Sequence, residues 1–133
     1  MKKKIISMFL AAAMVLSLAA CGSSNTAKSE GSTDAGKKTL KVAMECGYAP
    51  YNWTQSDDSN GAVPIKDSSD YAYGYDVMMA KKIADELGYD LQIVKLDWDS
   101  LIPAVQSGQV DCVIAGQSIT SERLQMADFT EPY

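Results

Sequence analysis

The sequence predicts an α/β fold built on a parallel sheet, and three observations point to it. Short apolar or alternating runs and helical patterns follow one another as strand, helix, strand, helix, strand between Thr39 and Ala115. That order makes two crossover units, which pair their strands in parallel. Both helical patterns stop at a glycine, Gly88 and Gly108, the residue best suited to the left-handed position past a helix end. Finally, the two segments richest in binding chemistry, Glu45–Trp53 and Gly116–Arg123, each leave a strand. Ligands of parallel sheets bind at the carboxyl ends of strands.

A chain of 133 residues, 47% hydrophobic and 22% charged, is globular in composition and has room for one domain. Lys2, Lys3 and Lys4 belong to a leader, so the part after the leader carries nine basic against 17 acidic residues, a charge near −8. An acidic body without a basic patch excludes nucleic acid as a partner. Histidine is absent, which removes the commonest neutral-pH acid–base group and the commonest metal ligand. No cofactor or metal is expected.

Residues 1–20 read as a signal peptide, with Lys2–Lys4 as the charged region and Ile5–Leu18 as the apolar region. Residues 21–38 then form a flexible tether rich in Ser, Gly, Thr, Ala and Lys, too poor in large apolar residues to offset the entropy of ordering. Residues 39–133 make the folded part.

Its first strand is Thr39–Met44, alternating and β-branched. Glu45–Trp53 holds three aromatics beside Gly and Pro, which marks a loop, and its flat faces beside a carboxylate suit a polar ligand with an apolar stem. Thr54–Ala72 is an exposed excursion in which Asn60-Gly61 predicts a hairpin with a type I′ turn. The main helix is Tyr75–Leu87, with Asp76 as its cap and Val77, Ala80, Ala84 and Leu87 on its inner stripe. Tyr89–Leu96 is the second strand, Asp99–Ser107 a second helix with Pro103 in its first turn, and Gln109–Ala115 the third strand. Cys112 belongs to this buried run. Cys46 lies beyond the end of its own strand, too far along the chain for a disulfide with Cys112.

Gly116–Arg123 reads as a carboxylate clamp. Gly116 allows close approach to the backbone, Ser118 offers a hydroxyl, a starting helix offers free N–H groups, and Arg123 offers a planar fork of donors.

Several of these stretches together resemble a known family. Leu18-Ala19-Ala20-Cys21-Gly22 resembles the bacterial lipobox, whose cysteine is lipidated. Further landmarks are Gly47-Tyr48-Ala49-Pro50-Tyr51, Gly74-Tyr75-Asp76, Asp97-Trp98-Asp99, Ser107-Gly108-x-x-Asp111, Ile119-Thr120-x-x-Arg123 and Asp128-Phe129-Thr130-x-Pro132-Tyr133. In this order they are similar to the first lobe of a bacterial extracellular solute-binding protein of the polar amino acid type, the receptor of an ABC importer.

The resemblance implies a type 2 periplasmic-binding-protein-like lobe, a parallel sheet layered between helices. It implies a free amino acid as ligand, polar and amide or cationic in side chain, and importer permease subunits as partners. It also implies anchoring through lipid on Cys21 at the extracytoplasmic face of the cell membrane. By the same resemblance Arg123 and Ser118 hold the ligand α-carboxylate, the Gly116 carbonyl receives the α-ammonium, Tyr48 and Trp98 sandwich the side chain, and Glu45 meets its distal group. Relatives continue into a hinge and a second lobe, so the lobe is expected to be incomplete. A dehydratase on the same fold acting on a cyclic amino-acid precursor, and a ligand-sensing domain of a membrane receptor, are the alternative readings.

Overall fold

The computed structural model describes residues 36–133. The leader, Cys21 and most of the tether lie outside the described residues.

Two sheets organise the described chain. The first is parallel and three-stranded, in the order β6-β1-β7. Its centre, β1 (Thr39–Met44), buries Leu40, Val42, Ala43 and Met44 and leaves Lys41 exposed. It pairs on one side with β6 (Asp90–Lys95), from Thr39 opposite Asp90 to Met44 opposite Lys95. On the other side it pairs with β7 (Cys112–Val113), which sets Val42 opposite Cys112.

The third strand is therefore much shorter than Gln109–Ala115. The reason lies at its start, where the Asp111 carboxylate accepts from the Lys41 N–H at 2.7 Å. A side chain takes the place of a backbone carbonyl there, although the Asp111 N–H still donates to the Lys41 carbonyl at 2.9 Å, and the regular pairing begins one residue later.

Helix α1 (Tyr75–Leu87) has the bounds expected from the sequence. Val77, Ala80 and Ala84 pack on the sheet, whereas Leu87 is 53% exposed and falls outside the inner stripe. The helix ends in a Schellman motif. Gly88 stands at φ 68°, its N–H donates to the Asp85 carbonyl, and the Tyr89 N–H donates to the Ala84 carbonyl. Asp76 is not the cap. Gly74 occupies that position, and Asp76 lies in the first turn with its side chain fully buried.

The second crossover passes through a 3-10 turn (Trp98–Ser100) into α2 (Leu101–Gln106), with Pro103 near the start. There its missing N–H costs little. Leu101 and Ala104 face the core.

The second sheet is antiparallel, in the order β2-β3-β5-β4. It corrects two expectations. Glu45–Trp53 is a hairpin rather than a plain loop, formed by β2 (Gly47–Tyr48) and β3 (Asn52–Gln55), with Tyr48 opposite Asn52.

The hairpin expected around Asn60-Gly61 does not form. Asn60 and Gly61 do adopt positive φ, 59° and 80°. However, β3 pairs with β5 (Tyr71–Tyr73), and β4 (Val63–Pro64) pairs with the far side of β5. The strand inserted between β3 and β4 wins because it buries Ala72 completely and sets the Tyr73 ring edge-on to Trp53, with centroids 5.2 Å apart.

Nor is the excursion simply exposed. Ile65 is 3% exposed and bridges Ile93 in parallel, and the Lys66 N–H donates to the Ile93 carbonyl. These residues cover part of the outer edge of β6, which would otherwise present unpaired backbone groups.

Candidate ligand-binding site

Three segments leave the carboxyl ends of the parallel strands, and they carry all six residues singled out in the sequence. Glu45 follows β1, Trp98 follows β6, and Gly116, Ser118 and Arg123 follow β7, while Tyr48 lies on the hairpin after β1.

The segment after β7 differs from the expected clamp. Residues 114–122 form no helix, and only a three-residue 3-10 turn, Arg123–Gln125, appears. A turn this short has no row of free N–H groups, so the helix-terminus contribution to anion binding is lost. Its first donor is also taken, because the Arg123 N–H donates to the Thr120 hydroxyl at 3.2 Å. Thr120, not Ser118, uses its hydroxyl locally.

Arg123 is half-buried and held at two points. Its Nη1 donates to the Ser118 carbonyl at 2.8 Å, and its guanidinium lies over the Trp98 ring, 5.3 Å from the centroid. Among the described residues no carboxylate forms an ion pair with it. A planar cation fixed on an aromatic face, with no acidic partner there, can accept an external carboxylate.

Tyr48 stacks on Tyr51 with centroids 5.1 Å apart, and its ring edge reaches Gly116. Gly116 stands at φ 63°, and a Cβ there would come within 3.5 Å of Tyr48 Cε1. Glycine thus meets both a backbone and a space requirement. Glu45 lines a separate cleft of about 220 Å3 with Lys95, Leu96, Asp97 and Ser100. The six residues therefore group as Tyr48 with Gly116, Trp98 with Arg123 and Ser118, and Glu45 beside Asp97. A larger cleft, about 410 Å3, runs along α1 between Gly61 and Glu86, and none of the six lines it.

The hairpin is fixed by Asn52, to which the sequence assigned no role, and by Asp76, which it read as a helix cap. Asn52 and Asp76 are buried at 1% and 0% exposure. Asn52 Nδ2 donates to Asp76 Oδ2 at 2.7 Å, and Asn52 Oδ1 accepts from the Cys46 N–H at 2.8 Å. The Asp76 and Tyr75 N–H groups donate to the Tyr51 and Pro50 carbonyls.

Tyr133 adds a hydroxyl donating to Asp76 Oδ1 at 2.7 Å and stacks on Tyr75. Burial and the adjacent carboxylate of Asp76 push that hydroxyl well above the usual tyrosine range. Asp76 and Tyr133 each lie in a family landmark, and Asn52 stands as a lone amide between aromatics, but nothing in the sequence joined the three. Burial likewise pushes the Cys46 thiol up to about 11, although Lys95 works against it.

Comparison with known proteins settles the family. Residues 40–133 match the model of the bacterial extracellular solute-binding proteins, family 3. The chain belongs to that family. Among curated members, it is 33% identical over 131 residues to the arginine-binding extracellular protein ArtP of Bacillus subtilis (strain 168), covering 98% of this chain and 44% of that protein. It is 32% identical over 131 residues to a probable histidine-binding protein of Campylobacter jejuni, covering 98% of this chain and 46% of that protein. The chain thus spans less than half the length of these relatives. The arginine-bound form of domain 1 from TmArgBP superposes with a TM-score of 0.58 at 34% identity, covering 71% of this chain and 66% of that one. The solute-binding family and its mixed α/β lobe with a parallel sheet agree with the fold expected from the sequence.

Proposed function

We propose that this chain captures a free cationic amino acid as the receptor of an ABC importer, with Arg123 taking the α-carboxylate. The observation that carries the reading is the guanidinium of Arg123 seated on Trp98 with no ion-pair partner among the described residues. A carboxylate ligand would complete it with charge-assisted hydrogen bonds. In this reading Ser118 supports the same carboxylate and the Gly116 carbonyl receives the α-ammonium. Tyr48 and Trp98 flank the ligand stem.

A cationic side chain is favoured by the pair of carboxylates, Glu45 and Asp97, that line the neighbouring cleft. The arginine- and histidine-binding relatives lean the same way. Binding buries a small zwitterion between fixed dipoles and aromatic faces, which suits reversible capture.

Calorimetric titration with arginine, histidine, glutamine and argininamide tests the reading. Arginine should bind more tightly than glutamine, and argininamide at least tenfold more weakly than arginine. Equal affinity for the acid and its amide would overturn the carboxylate role.

The same reading places the chain on the extracytoplasmic face, held by lipid on Cys21 and delivering its ligand to permease subunits. A lipid chain anchors by about 0.8 kcal/mol per buried methylene. Cys21→Ser should move the protein from the membrane fraction to the medium, and retention in membranes would refute the anchor.

A further inference from the structure

Cys46 turns the chain between β1 and the hairpin, and it does so at φ 55°, a conformation that side chains seldom adopt. Both of its peptide groups are held from β3. Asn52 Oδ1 accepts from the Cys46 N–H at 2.8 Å, and the Thr54 hydroxyl donates to the Cys46 carbonyl, also at 2.8 Å. Residues two apart on a strand share a face, so Asn52 and Thr54 present an acceptor and a donor side by side. The residue they hold directly follows Glu45.

The Thr54 hydroxyl has a second partner. Lys95 Nζ lies 3.1 Å from Thr54 Oγ1. An ammonium can only donate, so the hydroxyl accepts from Lys95 and its own proton goes to the Cys46 carbonyl. Lys95 is also the one lysine lining the cleft that holds Glu45 and Asp97. Among the described residues it forms no ion pair with either carboxylate. An ammonium that reached Glu45 would neutralise the charge that a cationic ligand side chain needs. One hydroxyl thus fixes the turn beside Glu45 and engages the cation placed to compete for it.

We propose that Thr54 is a positioning residue for ligand specificity: by holding the Cys46 carbonyl and the Lys95 ammonium together, its hydroxyl keeps the Glu45 carboxylate fixed and open to a cationic side chain. The inference rests on the amino-acid-binding reading for its functional meaning, and on the two hydrogen bonds alone for the lock at Cys46.

Thr54→Val removes the hydroxyl and keeps the branched shape, while Thr54→Ser keeps the hydroxyl, and two measurements on the pair separate the possibilities. The first needs no ligand. Amide hydrogen exchange at Cys46 should quicken about tenfold in Thr54→Val and stay near the parental rate in Thr54→Ser, with Val42 and Ile93 in the core strands unchanged in both. The second is the ratio of arginine to glutamine affinity, measured by calorimetric titration. Thr54→Val should lower that ratio about fivefold in the parent and by less than about twofold in the Glu45→Gln background, because the hydroxyl acts through the Glu45 carboxylate. Thr54→Ser should restore the parental ratio.

Unchanged exchange at Cys46 in Thr54→Val overturns the lock. An equal fall of the ratio in both backgrounds, or arginine and glutamine weakened alike, overturns the specificity role. If exchange responds as expected but the parent binds none of the amino acids tested, the ligand reading and the specificity role fail together and the lock stands.

Discussion

Asn52 and Asp76, 24 residues apart in sequence, form a buried amide–carboxylate pair with Nδ2 2.7 Å from Oδ2. Asp76 accepts from Asn52 on one oxygen and from Tyr133 on the other, so its charge is compensated by donors rather than by a cation. A buried charge held this way is stable only while its donors remain.

Asn52→Leu should therefore destabilise the fold by about 1–3 kcal/mol or more, the cost of leaving a buried charged acceptor and the Cys46 N–H each without a partner. Urea denaturation would show a lower midpoint with an unchanged slope. A midpoint matching the parent would mean that water or another donor reaches Asp76.

Gly74→Ala should distort the hairpin. A Cβ at Gly74 would fall 2.3 Å from the Tyr51 carbonyl oxygen, at a φ of 129° that side chains rarely adopt. Both the close approach and the backbone conformation oppose it. The expected loss is about 2–4 kcal/mol by analogy with overpacking and strain, accompanied by weakened arginine binding because Tyr48 moves with Tyr51. An alanine variant with parental stability and affinity would show that the α1 start does not hold the hairpin.

How much of this was legible in the sequence depended on how local the signal was. Thr39–Met44 and Tyr75–Leu87 were read to the residue because periodicity and the Gly88 stop are contained in the segment itself. The antiparallel sheet was not legible. Asn60-Gly61 has the dihedral signature of a tight turn, yet the strand that pairs with β3 is β5, and that choice was made by the burial of Ala72 and the Trp53–Tyr73 contact.

Asp76 was misread as a cap because its sequence context is that of a helix start, whereas its partners, Asn52 and Tyr133, are distant in the chain. Among the site residues, Gly116–Arg123 was placed at a strand end, but Trp98 was named only through the family resemblance, and its meeting with Arg123 was not legible because the two lie 25 residues apart on different strand exits. The helix expected after Gly116 did not form, and Thr120 closed a 3-10 turn instead.

Cys46 and Cys112 should remain unlinked and slow to react. Cys112 is opposite Val42, four residues before Cys46, an offset of about 13 Å along the strand at ~3.3 Å per residue. A disulfide needs Cα atoms closer than about 7 Å. Cys112 is half-buried rather than fully buried as its apolar run implied, and Cys46 is 2% exposed.

With its pKa raised to about 11, only on the order of one Cys46 in a thousand is thiolate at pH 8. Alkylation of the native chain should therefore lag well behind that of the urea-unfolded chain. The sign of the linkage follows. The folded state holds the thiol proton more tightly than the unfolded state, so this contribution is intact below pH 9 and is lost as pH rises towards 11. Burial raises Cys112 and Tyr133 in the same direction. Rapid native-state labelling at pH 8, or an intramolecular Cys46–Cys112 link in non-reducing mass spectrometry, would contradict the strand register.

The central claim is that Arg123 receives the ligand carboxylate, and calorimetric titration of Arg123→Ala and Arg123→Lys with arginine tests it most directly. Loss of a desolvated bidentate partner costs roughly 2–5 kcal/mol, about thirtyfold to several thousandfold in affinity. The alanine variant should fall in that range. The lysine variant should recover only part of the loss, because a point charge cannot reproduce the planar fork or its seat on Trp98. Parental affinity in Arg123→Ala would contradict the account and leave the guanidinium as a surface group resting on Trp98.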